Sequence, residues 1–390
     1  MDMRKPMNFL LSLLFLLFSP SAGNAIYNVI NFGATPNGNT DSAPAFLRAW
    51  SQACSSGNWA TLYVPPGQYL LGQAQFSGNC KNPITIQIDG TLVAPSNYHV
   101  IGNAGAWLTF IGVTGLSIYG GTLDGQGTTL WACKALGSGC PDGATNLALI
   151  NSKNIIINGL ASLNSQMFHV VIDGCENVNV KGVTVTAPGN SPNTDGIHVQ
   201  MSMDVMIKSA NIKTGDDCIS IGAGTSNLLI ENIACGPGHG ISIGSLGREM
   251  EEPGVQNVTV KTVTFTGSQN GFRIKTWGRP SNGFVNGVLF QDGIMENVDN
   301  PIIIDQNYCP LGKYCPGQVS GVKISQVTYN NIRGTSATEV AVKFECSNMK
   351  PCSAIIMEDV SLTYQNQQAA SSCTNADGSA YGFIEPSSCF

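Results

Sequence analysis

Charge is scarce in this chain. Of its 390 residues, 19 are Lys or Arg and 25 are Asp or Glu, 11% together, against about 25% in an ordinary soluble domain. No basic run occurs and the formal net charge is −6, which argues against a nucleic-acid partner. Long hydrophobic runs are missing too. Beyond the N-terminus no stretch approaches the roughly 18 uninterrupted apolar residues of a membrane span. In their place stand 45 Gly and recurrent Asn, a composition of tight turns and polar ladders rather than of helices.

The first 25 residues read as a secretory leader. Arg4 and Lys5 precede the apolar Leu10–Phe18, and Gly23-Asn24-Ala25 supplies the small residues of a cleavage site after Ala25. The remaining chain, 26–390, is expected to be one catalytic domain. Secretion permits disulfides, and the 13 Cys all follow the leader. Closeness in sequence suggests Cys133/Cys140, Cys309/Cys315, Cys346/Cys352, Cys218/Cys235 and Cys373/Cys389, with Cys54/Cys80 completing six pairs. Spacing alone does not fix that connectivity. Cys175 is left over as a free thiol. One glycosylation sequon exists, Asn257-Val258-Thr259.

Asp195, Asp217 and His239 recur every 22 positions, each opening the same phrase: DGIHVQ, DCISIG and HGISIG. NGFRIK from Asn270 is a fourth copy. The apolar positions align as Ile197/Val199, Ile219/Ile221, Ile241/Ile243 and Phe272/Ile274. One strand-like core per period is the signature of a solenoid. A second phase runs through Asn154, Asn177, Asp204, Asn227 and Asn257, in steps of 23, 27, 23 and 30 residues, so each coil carries at least two strands. Repetition along one chain direction makes neighbouring strands parallel. The expected fold is all-β: a single-domain right-handed parallel β-helix, not an antiparallel sandwich with turns every 8–12 residues. One helix is expected. It starts at Asp41-Ser42-Ala43-Pro44, buries Ala45, Phe46 and Trp50, and caps the open N-terminal end.

Stacked coils place equivalent residues roughly 4.8 Å apart. Asp195, Asp216, Asp217 and His239 then form a compact column. Carboxylates so close repel, and at least one must hold its proton. A protonated acid beside an ionised carboxylate is what glycoside hydrolysis requires. In the next coil Phe272 and Ile274 point inward, so Arg273 and Lys275 face outward, on the face shared by His198, Ser220 and Ser242. Two cations beside an acidic column, in a cation-poor chain, suit a substrate bearing carboxylates.

SPNTDGIH (Ser191–His198), GDDCIS (Gly215–Ser220), CGPGHGISIGSLG (Cys235–Gly247) and RIK (Arg273–Lys275) resemble the signature blocks of polygalacturonases, family 28 of the glycoside hydrolases. NFGA (Asn31–Ala34) and the NYC at Asn307–Cys309 fit as well. The resemblance implies a parallel β-helix that cuts α-1,4 links between galacturonates in pectin with inversion and without cofactor or metal. It implies Asp217 as general acid, Asp195 and Asp216 as the pair holding the attacking water, and His239 as support for the acid. Asn193, Arg273, Lys275 and Tyr308 match substrate-contacting positions. A monomer working in the plant cell wall, at mildly acidic pH, is the corresponding expectation. The spacing rule pulls the other way. Carboxylates one coil apart approach the about 5–5.5 Å of retaining enzymes rather than the about 6.5–9.5 Å of inverting ones.

Two other functions fit parts of the pattern. A pectate lyase would act on the same polymer by elimination and use the Asp cluster to hold Ca²⁺. A catalytically silent pectin-binding β-helix would keep the groove alone, but here all four acid–base side chains are present.

Overall fold

The computed structural model describes residues 24–390 except Ser138, Leu311 and Tyr314. The expected leader lies almost wholly outside the described residues; the first strand is Ala25–Asn28.

Among the described residues the strands form two sheets, of 17 and 11 strands. The pairings are parallel, apart from a short antiparallel one between Thr363–Tyr364 and Gln367–Gln368. This is the parallel β-helix read from the 22-residue period. The 11-stranded sheet takes one strand from each coil, from Ala74–Ser77 to Ala370–Thr374. Its register follows the aligned phrases. Ile197 pairs with Ile219, Ile219 with Ile241, Ile241 with Phe272, and Phe272 with Ile302. Each is fully buried, and each such side chain contributes about 1.5–3 kcal/mol of apolar burial.

The second phase of the repeat marks the corners. Asn154, Asn177, Asp204, Asn227 and Asn257 all have φ between 54° and 57°. This left-handed conformation disfavours most side chains, and Asn and Asp tolerate it best. The Asn side chains also tie coil to coil: Asn177 Nδ2 donates to Asn154 Oδ1 at 2.8 Å, Asn227 Nδ2 to Asp204 Oδ1 at 2.9 Å, and Asn257 Nδ2 to Asn227 Oδ1 at 2.7 Å.

Both ends of the solenoid are plugged by aromatic rings. Helix α1 (Ala43–Cys54) covers the first coils, with Pro44 in its first turn and Ala45, Phe46 and Trp50 buried, as expected. Trp50 packs edge-on to Phe76 and Phe110. At the other end a line of rings runs Phe272, Phe290, Tyr329, Phe344 and finally Phe390, the last residue. A second helix, α2 (Thr128–Leu136), was not expected. Its N-cap, Gly127, offers no side-chain hydrogen bond and only Leu130 is buried, so neither capping nor apolar periodicity announces it. Its position is set by tertiary ties: Cys133 is bonded to Cys140 and Lys134 Nζ donates to Asp142 O at 2.7 Å.

All six suggested disulfides form, and Cys175 is free and buried.

Candidate active site

The acid–base column is built by the main chain before it is built by side chains. Asp195, Asp217 and His239 each sit two residues ahead of a strand of the 11-stranded sheet: Ile197–Gln200, Ile219–Ile221 and Ile241–Leu246. Backbone bonds continue the ladder through them. His169 N donates to Asp195 O at 2.8 Å, Gly196 N to Asp217 O at 2.9 Å, and His239 N to Asp216 O at 2.7 Å. Behind the column the Cys218–Cys235 disulfide joins the turn carrying Asp217 to the one leading to His239. Gly215 is required for this packing, because a Cβ there would lie 2.1 Å from Ser191 O. Thr194 and Thr214, both fully buried, bond each other at 2.7 Å and lock the two Asp-bearing turns together.

Three carboxyls converge, and their surroundings differ. Asp195 is buried, and burial, then the neighbouring Asp216 and Asp217, push its pKa well above the usual carboxylate range. Asp217 is also buried, which alone would raise it, but Lys275 and Arg273 outweigh that and hold it at about 2. Its Oδ1 accepts from Arg273 Nη2 at 2.6 Å and from Ser242 Oγ at 2.8 Å; its Oδ2 accepts from Lys275 Nζ at 2.7 Å. Asp216 is the most exposed of the three. Its Oδ1 accepts from the Asp217 N–H at 2.8 Å and lies 3.1 Å from His239 Nδ1. Its Oδ2 has no hydrogen-bond partner among the described residues.

The expected rise of one carboxyl pKa therefore falls on Asp195. Asp217, to which the resemblance gives the acid's part, is held ionised by two cations. That environment does not suit a proton donor.

The column opens into two clefts that share Tyr308 in their lining. The larger, about 450 Å³, is lined by Asn193, Asp195, Asp216, Asp217, Lys275 and Tyr308 among others. The smaller, about 280 Å³, holds His239, Arg273 and the far side of Tyr308. The eight residues singled out in the sequence thus line these two clefts, which have Tyr308 in common. Lys275 Nζ also stands 5.1 Å from the centre of the Tyr308 ring, which packs edge-on to Trp277.

A profile described as "Glycosyl hydrolases family 28" matches residues 54–389. The chain belongs to this family. A polygalacturonase from Prunus persica is 62% identical over 385 residues, covering 98% of both chains. An exopolygalacturonase from Platanus acerifolia is 43% identical over 360 residues, covering 91% of this chain and 95% of its own. Among solved structures, an endo-xylogalacturonan hydrolase from Aspergillus tubingensis shares the fold, with a TM-score of 0.80 at 23% identity over 92% of this chain and 99% of that one.

The family blocks do not announce every residue of the groove. Phe168 lies in the larger cleft and stacks on His198 at 5.1 Å. It stands one coil before Asp195, because Val170 pairs with Ile197, but that step is longer than 22 residues, so the sequence period does not reach it. Ser242 shares the outward face with Arg273 in the sequence pattern, but its bond to Asp217 is a tertiary fact. Arg248, Glu249 and Glu252 form a wall of the larger cleft from a loop whose shape is set by Glu252. The Glu252 carboxylate accepts from the backbone N–H of Gly247, Arg248 and Glu249.

Proposed function

We propose that this family 28 protein is a polygalacturonase: it hydrolyses α-1,4-galacturonosyl links of polygalacturonate with inversion. The observation that carries this reading is the pairing of an acid–base column with Arg273 and Lys275 in the same groove. A polymer with one carboxylate per sugar is the substrate class those cations fit, and the polygalacturonase relatives support it.

In the mechanism we favour, Asp216 is the general acid. Asp216 lines the larger cleft, its Oδ2 is unbonded among the described residues, and His239 contacts its other oxygen. Asp216 delivers its proton to the glycosidic oxygen as the C1–O bond breaks. A water held between Asp195 and Asp217 attacks C1 from the opposite face, and its proton passes to Asp217, the ionised member of the pair. Asp195 keeps its proton and orients the water. Arg273 and Lys275 grip a substrate carboxylate, while Asn193 and Tyr308 contact neighbouring sugar. Asp217 then gives its proton up to solvent, and solvent, with His239 alongside, restores the proton to Asp216.

The lyase reading needs a cation among the acids. Asp216, Asp217 and His239 do bring ligand atoms within 4.8 Å of one another. Both Asp217 oxygens, however, already face Lys275 and Arg273, and Ca²⁺ takes six to eight oxygens. Hydrolysis is the better fit.

Secretion to the cell wall after removal of residues 1–25 belongs to the same proposal. Six disulfides support an oxidising destination, and no helix among the described residues is long and apolar enough to cross a membrane. A monomer suffices, since one chain carries the whole groove. The test is release of reducing ends from polygalacturonate while ultraviolet absorbance of an unsaturated product is recorded. New reducing ends without absorbance are expected. Absorbance that vanishes when Ca²⁺ is chelated would replace this reading with a lyase.

A further inference from the structure

Asp217 is the ionised partner of the water pair, yet in the free protein nothing about it is free. Arg273 Nη2 and Ser242 Oγ occupy Oδ1, and Lys275 Nζ occupies Oδ2. A carboxylate clamped by two cations is a poor proton acceptor. The same two cations are the groups that the proposed function assigns to the substrate. Both demands cannot be met at full strength at once.

We infer that the substrate's own carboxylate releases the base: a bound uronate draws Arg273 and Lys275 off Asp217, so that turnover, and not affinity alone, depends on that carboxylate. This rests on the reading of Arg273 and Lys275 as carboxylate ligands and deepens it.

The geometry allows the exchange. Arg273 is fixed at its root, because Nε donates to Ser242 Oγ at 2.8 Å, while only Nη2 reaches Asp217. Nη1 has no partner among the described residues. Lys275 spends one of its three donors on Asp217, and its flexible stem permits a swing. Each side chain keeps about a tenth of its surface open to the groove, Lys275 toward the larger cleft and Arg273 toward the smaller. Ser242 is buried and stays bonded to Asp217 Oδ1, so the carboxylate keeps its place when the cations move.

The remaining charges drive the change in basicity. Asp217 is faced by Asp195 from the neighbouring turn, by Asp216 beside it in its own turn, by His239 within 4.8 Å, by His198, whose pKa burial lowers, and by Tyr308, whose pKa burial raises. A substrate carboxylate that takes a share of those cations weakens the clamp on Asp217, and its affinity for a proton rises. A neutral sugar makes no such claim on Arg273 and Lys275. It would fill the groove and leave the base clamped. The selection for uronates would then act on kcat as well as on KM.

The experiment titrates the Asp217 carboxyl by carbon-13 NMR in the slow Asp216→Asn variant. It is run free, with digalacturonate, and with the neutral galactose dimer, each binding measured by calorimetry. Digalacturonate is expected to raise the proton affinity of Asp217 about ten-fold or more, and the neutral dimer to leave it unchanged at saturation. Digalacturonate that binds tightly without moving the titration would overturn the release, while leaving the cations as carboxylate ligands. Equal affinity for the two dimers would overturn that underlying reading and the release with it. The comparison needs no substitution at Arg273 or Lys275, so a folding defect there does not obscure the answer.

Discussion

Lys275 Nζ meets Asp217 Oδ2 at 2.7 Å across 58 residues of chain. Two coils of the solenoid separate them in sequence, and the register of the 11-stranded sheet brings them together. Breaking a buried pair leaves an uncompensated charge, which costs about 3–5 kcal/mol when no other partner remains. Arg273 still holds Asp217, so Lys275→Met should cost less, about 2 kcal/mol. Urea unfolding at neutral pH measures this. An unchanged midpoint would mean that the pair contributes nothing to the fold.

Asp195 and Asp217 should make opposite contributions to stability as pH changes. The folded pKa of Asp217, about 2, lies below its ordinary 3.8. Its stabilisation is therefore present above about 3.8 and is lost as pH falls toward 2. The folded pKa of Asp195 is raised by burial and by its acidic neighbours. Its contribution is present below 3.8 and is lost as pH rises through the folded value. Asp195→Asn removes that loss, so its Tm relative to the parent should climb from acid toward neutral pH, while activity falls. A Tm difference independent of pH would contradict the raised pKa.

Asp216→Asn should lower kcat by about 10²- to 10⁴-fold, the range of a lost general acid, with little change in the affinity for oligogalacturonates. His239→Gln should act more mildly on kcat, because His239 touches Asp216 rather than the bond that breaks. Retention of full activity by Asp216→Asn would return the acid's role to another carboxyl.

The Cys218–Cys235 bridge closes a loop of 17 residues, and removing it by a double substitution to Ser should cost about 3 kcal/mol. Because the bridge backs the turns of Asp217 and His239, kcat should fall as well. Removal of Cys54–Cys80, far from the groove, serves as the control: it should destabilise without touching kcat.

Much of this was readable from the chain because a solenoid converts sequence period into spatial adjacency. Ile197, Ile219 and Ile241 align in the sequence and pair in the sheet for the same reason, and Asp195, Asp217 and His239 travel with them. The Asn corners were visible because few other side chains accept their backbone. Helix α2 was not legible, since its position depends on a disulfide and a lysine contact outside the repeat. Nor was the clamp on Asp217. The pattern placed Arg273 and Lys275 on the outward face, but which carboxyl they would choose depends on side-chain reach across two coils. In the mechanism proposed above, that choice is the reason Asp216 rather than Asp217 takes the acid's part.

The most direct test of the whole account is the anomeric configuration of the first product released from polygalacturonate, followed by proton NMR before mutarotation. Attack by a water held between Asp195 and Asp217, opposite the proton from Asp216, predicts that the α-link yields a β reducing end first. An α product would mean retention, with one of these carboxylates bonded to the sugar, and would contradict the roles assigned here.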